Sequence, residues 1–177
     1  MLRDLTMALG SAVFVAVVAT FGDYVWASRL LAHRMTFGLL HGAGLCLAIG
    51  LAIGFPAGRP FVGAAGGLVV GVASAASFYV LAPVMGYPAM FASWVLLWLL
   101  IALLDQMLRG GGRHVWLRGV VAALASGAAF FAVSGMWTRW DPANINYVDH
   151  FLRWSVALLP GFLALHLGSD ARPAARR

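Results

Sequence analysis

Six long apolar stretches separated by short, turn-rich connections leave this chain little choice of solvent. The stretches run over 5–22, 35–56, 61–84, 89–108, 115–137 and 151–167, and each is close to the roughly 20 apolar residues a helix needs to cross a bilayer. The breaks carry turn signals, as in Pro56-Ala57-Gly58-Arg59-Pro60, Gly86-Tyr87-Pro88 and Arg109-Gly110-Gly111-Gly112-Arg113. The longest connection, 139–149, is polar and holds one proline. Of 177 residues, 62% are hydrophobic and only twelve basic and six acidic side chains occur. A soluble domain carries roughly 45–50% apolar and about 25% charged residues. The expected fold is an all-α, polytopic membrane bundle of six transmembrane helices. It forms one domain over 1–168, with a basic cytoplasmic tail over 169–177. A soluble enzyme, a nucleic-acid module and a disordered regulator are excluded.

The net charge of +6 is carried by arginine alone, with no lysine, and in a membrane chain scattered arginine reports topology. With the N-terminus inside, the inner segments hold Arg3, Arg59, Arg109, Arg113, Arg118, Arg172, Arg176 and Arg177. The outer ones hold Arg29, Arg34, Arg139 and Arg153. The bias places both termini in the cytoplasm, as six spans require, and suits a bacterial inner (plasma) membrane. Arg3 ahead of an apolar core resembles a signal peptide, but Asp4 interrupts the positive region and the stretch is long for that role. An uncleaved first helix is the better reading. Trp26, Trp94, Trp116, Trp137, Trp140 and Trp154 fall near span ends, as interfacial anchors would.

Lipid tails are as apolar as leucine, so helices in a bilayer pack through small residues that let backbones approach. The second stretch places Gly38, Gly42, Cys46, Gly50 and Gly54 at four-residue spacing. The third has Gly63, Gly67, Gly71 and Ala75, and the fifth Gly119, Ala123, Gly127 and Gly135. These seams predict close packing, against each other or around a cavity.

Ionisable side chains at membrane depth are functional candidates, and here they gather toward the outer span ends. His41, Tyr79, Asp149, His150 and Arg153 form the expected ligand-binding group. Asp23 pairs plausibly with His41 or Arg153, or sits at the interface. Asp149, His150 and Arg153 also read as a solvated helix start, with Asp149 favourable against the helix N-terminus. At the inner side, Arg109, Arg113 and Arg118 are candidates for anionic lipid headgroups, or plain topology signals. Asp105 is placed to pair with Arg109 at i+4. No HExxH, CxxC or GxSxG motif occurs. His33 and His114 fall in connections, and His166 lies at the opposite face from His41 and His150. No catalytic residue, cofactor or metal site is therefore expected. Pro83 and Pro160 could break spans, but no carboxylate sits at the midplane where a transporter would hold one.

The run from Trp94 and Trp98 to Leu104-Asp105 leads into a short Arg/Gly turn. Ser134-Gly135-Met136-Trp137 follows, then Trp140-Asp141-Pro142, Tyr147, Arg153-Trp154 and Pro160-Gly161. In that order residues 94–168 resemble the Insig (insulin-induced gene) family of small six-helix membrane proteins. The family's counterparts are an aromatic fourth helix ending in Phe-Asp, a Gly-x-Tyr after the fifth, a Ser-Pro-Asp-Phe loop, a Tyr-x-Arg-x-Trp entry to the last helix, and closing glycines. Asp141 precedes Pro142 rather than following it, and the first three helices match only in small-residue character. The resemblance implies a non-enzymatic bundle whose central cavity accepts a lipid or sterol, and whose ligand controls association with a membrane partner. The expected function is thus lipid or sterol-like binding, with the apolar lining supplied by the second, third and fifth helices. The glycine-rich helices are open to a partner protein or a second copy. The competing expectation is a small proton-coupled transporter or membrane enzyme using Asp23, His41 and Asp149.

Overall fold

A computed structural model describes residues 1–28, 33–110, 114–133 and 146–167. Six helices account for nearly all of them: α1 (Leu2–Ala27), α2 (Arg34–Gly54), α3 (Pro60–Met85), α4 (Pro88–Arg109), α5 (Val115–Val133) and α6 (Tyr147–His166). At 19 to 26 residues, all six are long and apolar enough to cross a bilayer. The chain is a multi-pass integral membrane protein. Arg29, Arg113, Gly135, the 134–145 segment with Trp137, Trp140, Asp141 and Pro142, and the 169–177 tail lie outside the described residues.

Local chemistry sets the helix ends. Pro60 and Pro88 open α3 and α4 at their first turns, where the missing N–H has no intrahelical partner to lose. His33 caps α2, its Nδ1 accepting from the Thr36 amide at 3.3 Å. Asn146 caps α6 by accepting from the amides of Val148 and Asp149. Gly110 ends α4 in the left-handed region, at φ 79°, which glycine enters without a Cβ penalty.

Each helix packs on its neighbour in sequence, and α6 returns against α1, closing a six-membered ring. The α2–α3 contact is the closest. A Cβ at Gly42 would meet Gly71 and Ala75, one at Gly67 would strike the Cys46 carbonyl, and Gly50 and Gly63 face each other backbone to backbone. The second and third small-residue seams therefore face each other. The fifth does not join them: Gly119 packs on Ala102 and Leu99, and Gly127 on Phe91, all of α4. Pro160 does not interrupt α6, which runs through it, and Gly161 beside it leaves room for the Trp98 indole.

The core is sealed by Trp98, Trp154, Phe162, Ile49, Ile53, Ile101 and Leu158. Leu9, Phe14, Val17, Val69, Val80, Leu117 and Leu124 point outward, a surface suited to acyl chains. Trp94 and Trp154 lie near span ends but are buried inside the ring, so they are packing residues rather than the interfacial anchors expected. Trp116, by contrast, is exposed.

Gly67→Leu is expected to lower the thermal melting point in detergent, because overpacking at a backbone contact costs about 1–3 kcal/mol. Gly44→Leu on the same helix is the control. Nothing lies within reach of a Cβ there, and stability should stay within about 0.5 kcal/mol of wild type.

Candidate functional site: a cavity at the outer end of the bundle

Arginine placement assigns the ends of α1, α3 and α5 and the starts of α2, α4 and α6 to the outer side. Within the ring at that end lies a cavity of about 650 Å³. Its walls differ in kind. From α3 come mostly small residues, Gly71, Ser74, Ala75 and Ala82, with Phe78 and Tyr79 toward the rim. The opposite side is aromatic: Trp26, Phe37, His41, Trp154, Trp94 and Phe130 line it. These rings form one continuous chain of contacts, with centroid separations from 4.3 Å for Trp94–Phe130 to 6.1 Å for Trp94–Trp154.

Asp23 lies at the junction of α1 and α6, only 2% exposed. Its Oδ2 accepts from Trp154 Nε1 at 2.7 Å and faces His150 Nδ1 at 3.0 Å. A carboxylate out of water is stabilised only by such donors. This three-residue clasp is also what fastens the last helix to the first through polar groups. Asp23 thus does not pair with Arg153, one of the partners the sequence allowed, because Arg153 is held by Asp149. Beside it, the His41 imidazole occupies the space that a Cβ at Gly22 would need. Its Nε2 is buried without a hydrogen-bond partner, as is Ser74 Oγ across the cavity. Gly38 similarly leaves room for the Tyr79 phenol, whose O–H donates to the Arg34 carbonyl at 2.7 Å.

Of the expected ligand-binding group, then, His41 and Tyr79 line the cavity and His150 stands behind Asp23. Asp149 and Arg153 do not line it. They pair with each other at 2.8 Å, with side chains 45% and 35% exposed. His150 and Arg153, three residues apart, therefore diverge: one turns into the bundle and the other to its surface. The expected lining from α2, α3 and α5 needs correction too, because α5 contributes only Phe130 while α4 and α6 supply indoles. Arg34 at the rim and Ser74 were not singled out in the sequence. Gly22 and Gly38 were the available signals, since a glycine beside a bulky polar ring is a place where that ring can fold inward.

A second polar cluster closes the inner end. Asp105 is buried and takes a bond from Arg109 Nε at 2.6 Å, the expected i+4 pair, with Arg118 Nη1 3.8 Å from its other oxygen. Arg118 also donates to the Leu165 carbonyl at 3.1 Å, so this clasp spans α4, α5 and the end of α6. Arg109 and Arg118, proposed for lipid headgroups, are thus turned inward onto Asp105. Between the two ends, Trp94 Nε1 donates to Ser126 Oγ at 3.0 Å, and Ser126 in turn to the Ala157 carbonyl. Among the described residues no three His, Cys, Asp or Glu side chains gather to hold a metal ion.

No family model, curated protein or solved structure matches the chain.

Asp105→Ala should destabilise strongly, about 3–5 kcal/mol, because it strands two largely buried guanidinium groups. Asp149→Ala removes an exposed pair worth at most about 1 kcal/mol. Melting curves of the two variants in the same detergent check the contrast.

Proposed function

We propose that this protein binds one lipid-like or sterol-like molecule in the outer cavity, without catalysing a reaction. The observation that carries the reading is the cavity: about 650 Å³, walled by aromatic and small apolar side chains, with few polar groups. Sites for small apolar ligands have this character, a largely preformed apolar hollow of roughly 300–1,000 Å³ with a few polar atoms fixing orientation. His41 and Ser74 supply such atoms, and Arg34 and Tyr79 stand at the rim. The resemblance of residues 94–168 to the Insig family supports the same ligand class. On that likeness the bound ligand regulates association with a membrane partner. Residence in a bacterial inner membrane belongs to the same reading, and the excess of inner arginines supports cytoplasmic termini.

A proton-coupled transporter is the second reading. It is favoured by one observation, a buried carboxylate at the cavity wall next to two histidines. It now rests on Asp23 and His41, since Asp149 is held on the surface by Arg153.

Native mass spectrometry of the protein released from mild detergent tests the first reading. The expected result is one retained small molecule per chain, lost in Ala82→Phe, which fills the cavity from α3. An empty wild-type protein that takes up no added lipid or sterol would sink the binding proposal. Proton-coupled uptake abolished by Asp23→Asn would install the transporter in its place.

A further inference from the structure

The acceptor atoms facing the cavity are not all in use. Both hydrogen bonds to Asp23 fall on Oδ2, while Oδ1 has no hydrogen-bond partner among the described residues and the side chain lines the cavity. Asp23 is therefore a nearly fully buried carboxylate in the cavity wall whose two donors share one oxygen. The surrounding wall is made of aromatic rings. Trp154 is hydrogen-bonded to Asp23 itself, His41 packs 6.0 Å from Trp154, and Phe37 and Trp26 continue the same surface.

A dry carboxylate among aromatic faces favours one kind of guest. Aromatic rings carry negative charge on their faces and attract cations within about 6 Å, most strongly those too bulky or alkylated to keep a tight water shell. A buried negative charge adds a Coulombic attraction that water does not screen at this depth. The cation in the lining, Arg34, is the first residue of α2 and exposed at the rim, where solvent weakens its opposition.

From this geometry we infer that the outer cavity recognises a lipophilic cation, a bulky or alkylated ammonium group on an apolar body, with Asp23 Oδ1 as its counter-ion and the Trp26–Phe37–Trp154 side as its aromatic face. The inference rests on the cavity-binding reading and specifies its ligand. Two sources share this chemistry: the choline headgroup of a membrane lipid and a free hydrophobic amine.

Tetraphenylphosphonium is a suitable probe, with uncharged triphenylphosphine oxide as its neutral counterpart, both titrated against the purified full-length protein by equilibrium dialysis. The cation should bind the more tightly. Asp23→Asn should weaken it by about tenfold or more, the scale of a charge-assisted contact in a desolvated site, and leave the neutral probe within about twofold. Because Asp23→Asn also alters the α1–α6 clasp, Trp26→Leu is the second variant. It touches no bond to Asp23 and should selectively weaken the cation. Equal binding of both probes, unchanged in the two variants, would overturn the cation assignment and leave the cavity reading standing. Binding of neither probe would overturn both. Repeating the titration in nanodiscs of phosphatidylcholine and of phosphatidylglycerol separates the sources. Displacement only in the former identifies a choline lipid, and equal binding in both identifies a free amine.

Discussion

Everything in this bundle follows from how closely α2 and α3 approach. In lipid there is no hydrophobic force to push helices together, so association depends on contact area and on polar groups with no better partner. The glycines from Gly42 to Gly54 on α2 and from Gly63 to Gly71 on α3 let two backbones meet directly. A seam built that way spends the small faces of both helices on each other. α2 still sends Ile49 and Ile53 into the interior, where Trp98, Phe162 and Ile101 from α4 and α6 join them toward the inner half. Toward the outer half, rings from α1, α2, α4, α5 and α6 form one wall, while α3 lines the other mostly with small residues. The cavity is the space left between a thin wall and a thick one.

The polar groups obey a second constraint. Ionisable side chains are costly at bilayer depth and persist where they are paired or lie near an end. Here they form two clasps at opposite faces. Asp23, His150 and Trp154 tie α1 to α6 at the outer end, and Asp105, Arg109 and Arg118 tie α4 to α5 at the inner end. Between them, the weakly polar Trp94–Ser126–Ala157 relay and a Ser77–Ser93 hydrogen bond cross from helix to helix. The outer clasp borders open volume, which is why function is sought there.

What could be read in advance was whatever is local in sequence. Span positions follow from runs of apolar residues, the α2 and α3 seams from four-residue spacing, and Asp105–Arg109 from one helical turn. The direction of a side chain around its helix was harder to read, because these helices are apolar on nearly every side and offer no polar face to orient them. Trp94 and Trp154 therefore looked like interfacial anchors, and His150 and Arg153 like neighbours on one face. The decisive contact joins residues 127 positions apart, and nothing near Asp23 in the chain announces its partner. The contents of the cavity lining depended on such long-range choices: His41 and Tyr79 were foreseen as ligand contacts and Asp23 as a proton carrier beside His41, but Arg34, Ser74 and Ser93 were not.

Ring closure has a consequence for how the molecule is made. The helix that completes the ring is the last of the six to leave the ribosome. It is also the least apolar, with mean hydropathy 1.2 against 2.0 for α1. Until it arrives, Asp23 lacks both of its donors, the outer ends of α1 and α5 have no common neighbour, and the cavity stands open sideways to lipid. Insertion of α6 is thus an assembly event as much as a partitioning one. It enters against a preformed five-helix surface that offers a carboxylate to its histidine and indole, a hydroxyl to its backbone at Ala157, and a guanidinium to its final turn. Trp154, part of the aromatic wall of the cavity, arrives only with that step, so the outer hollow takes its final shape when the sixth helix docks.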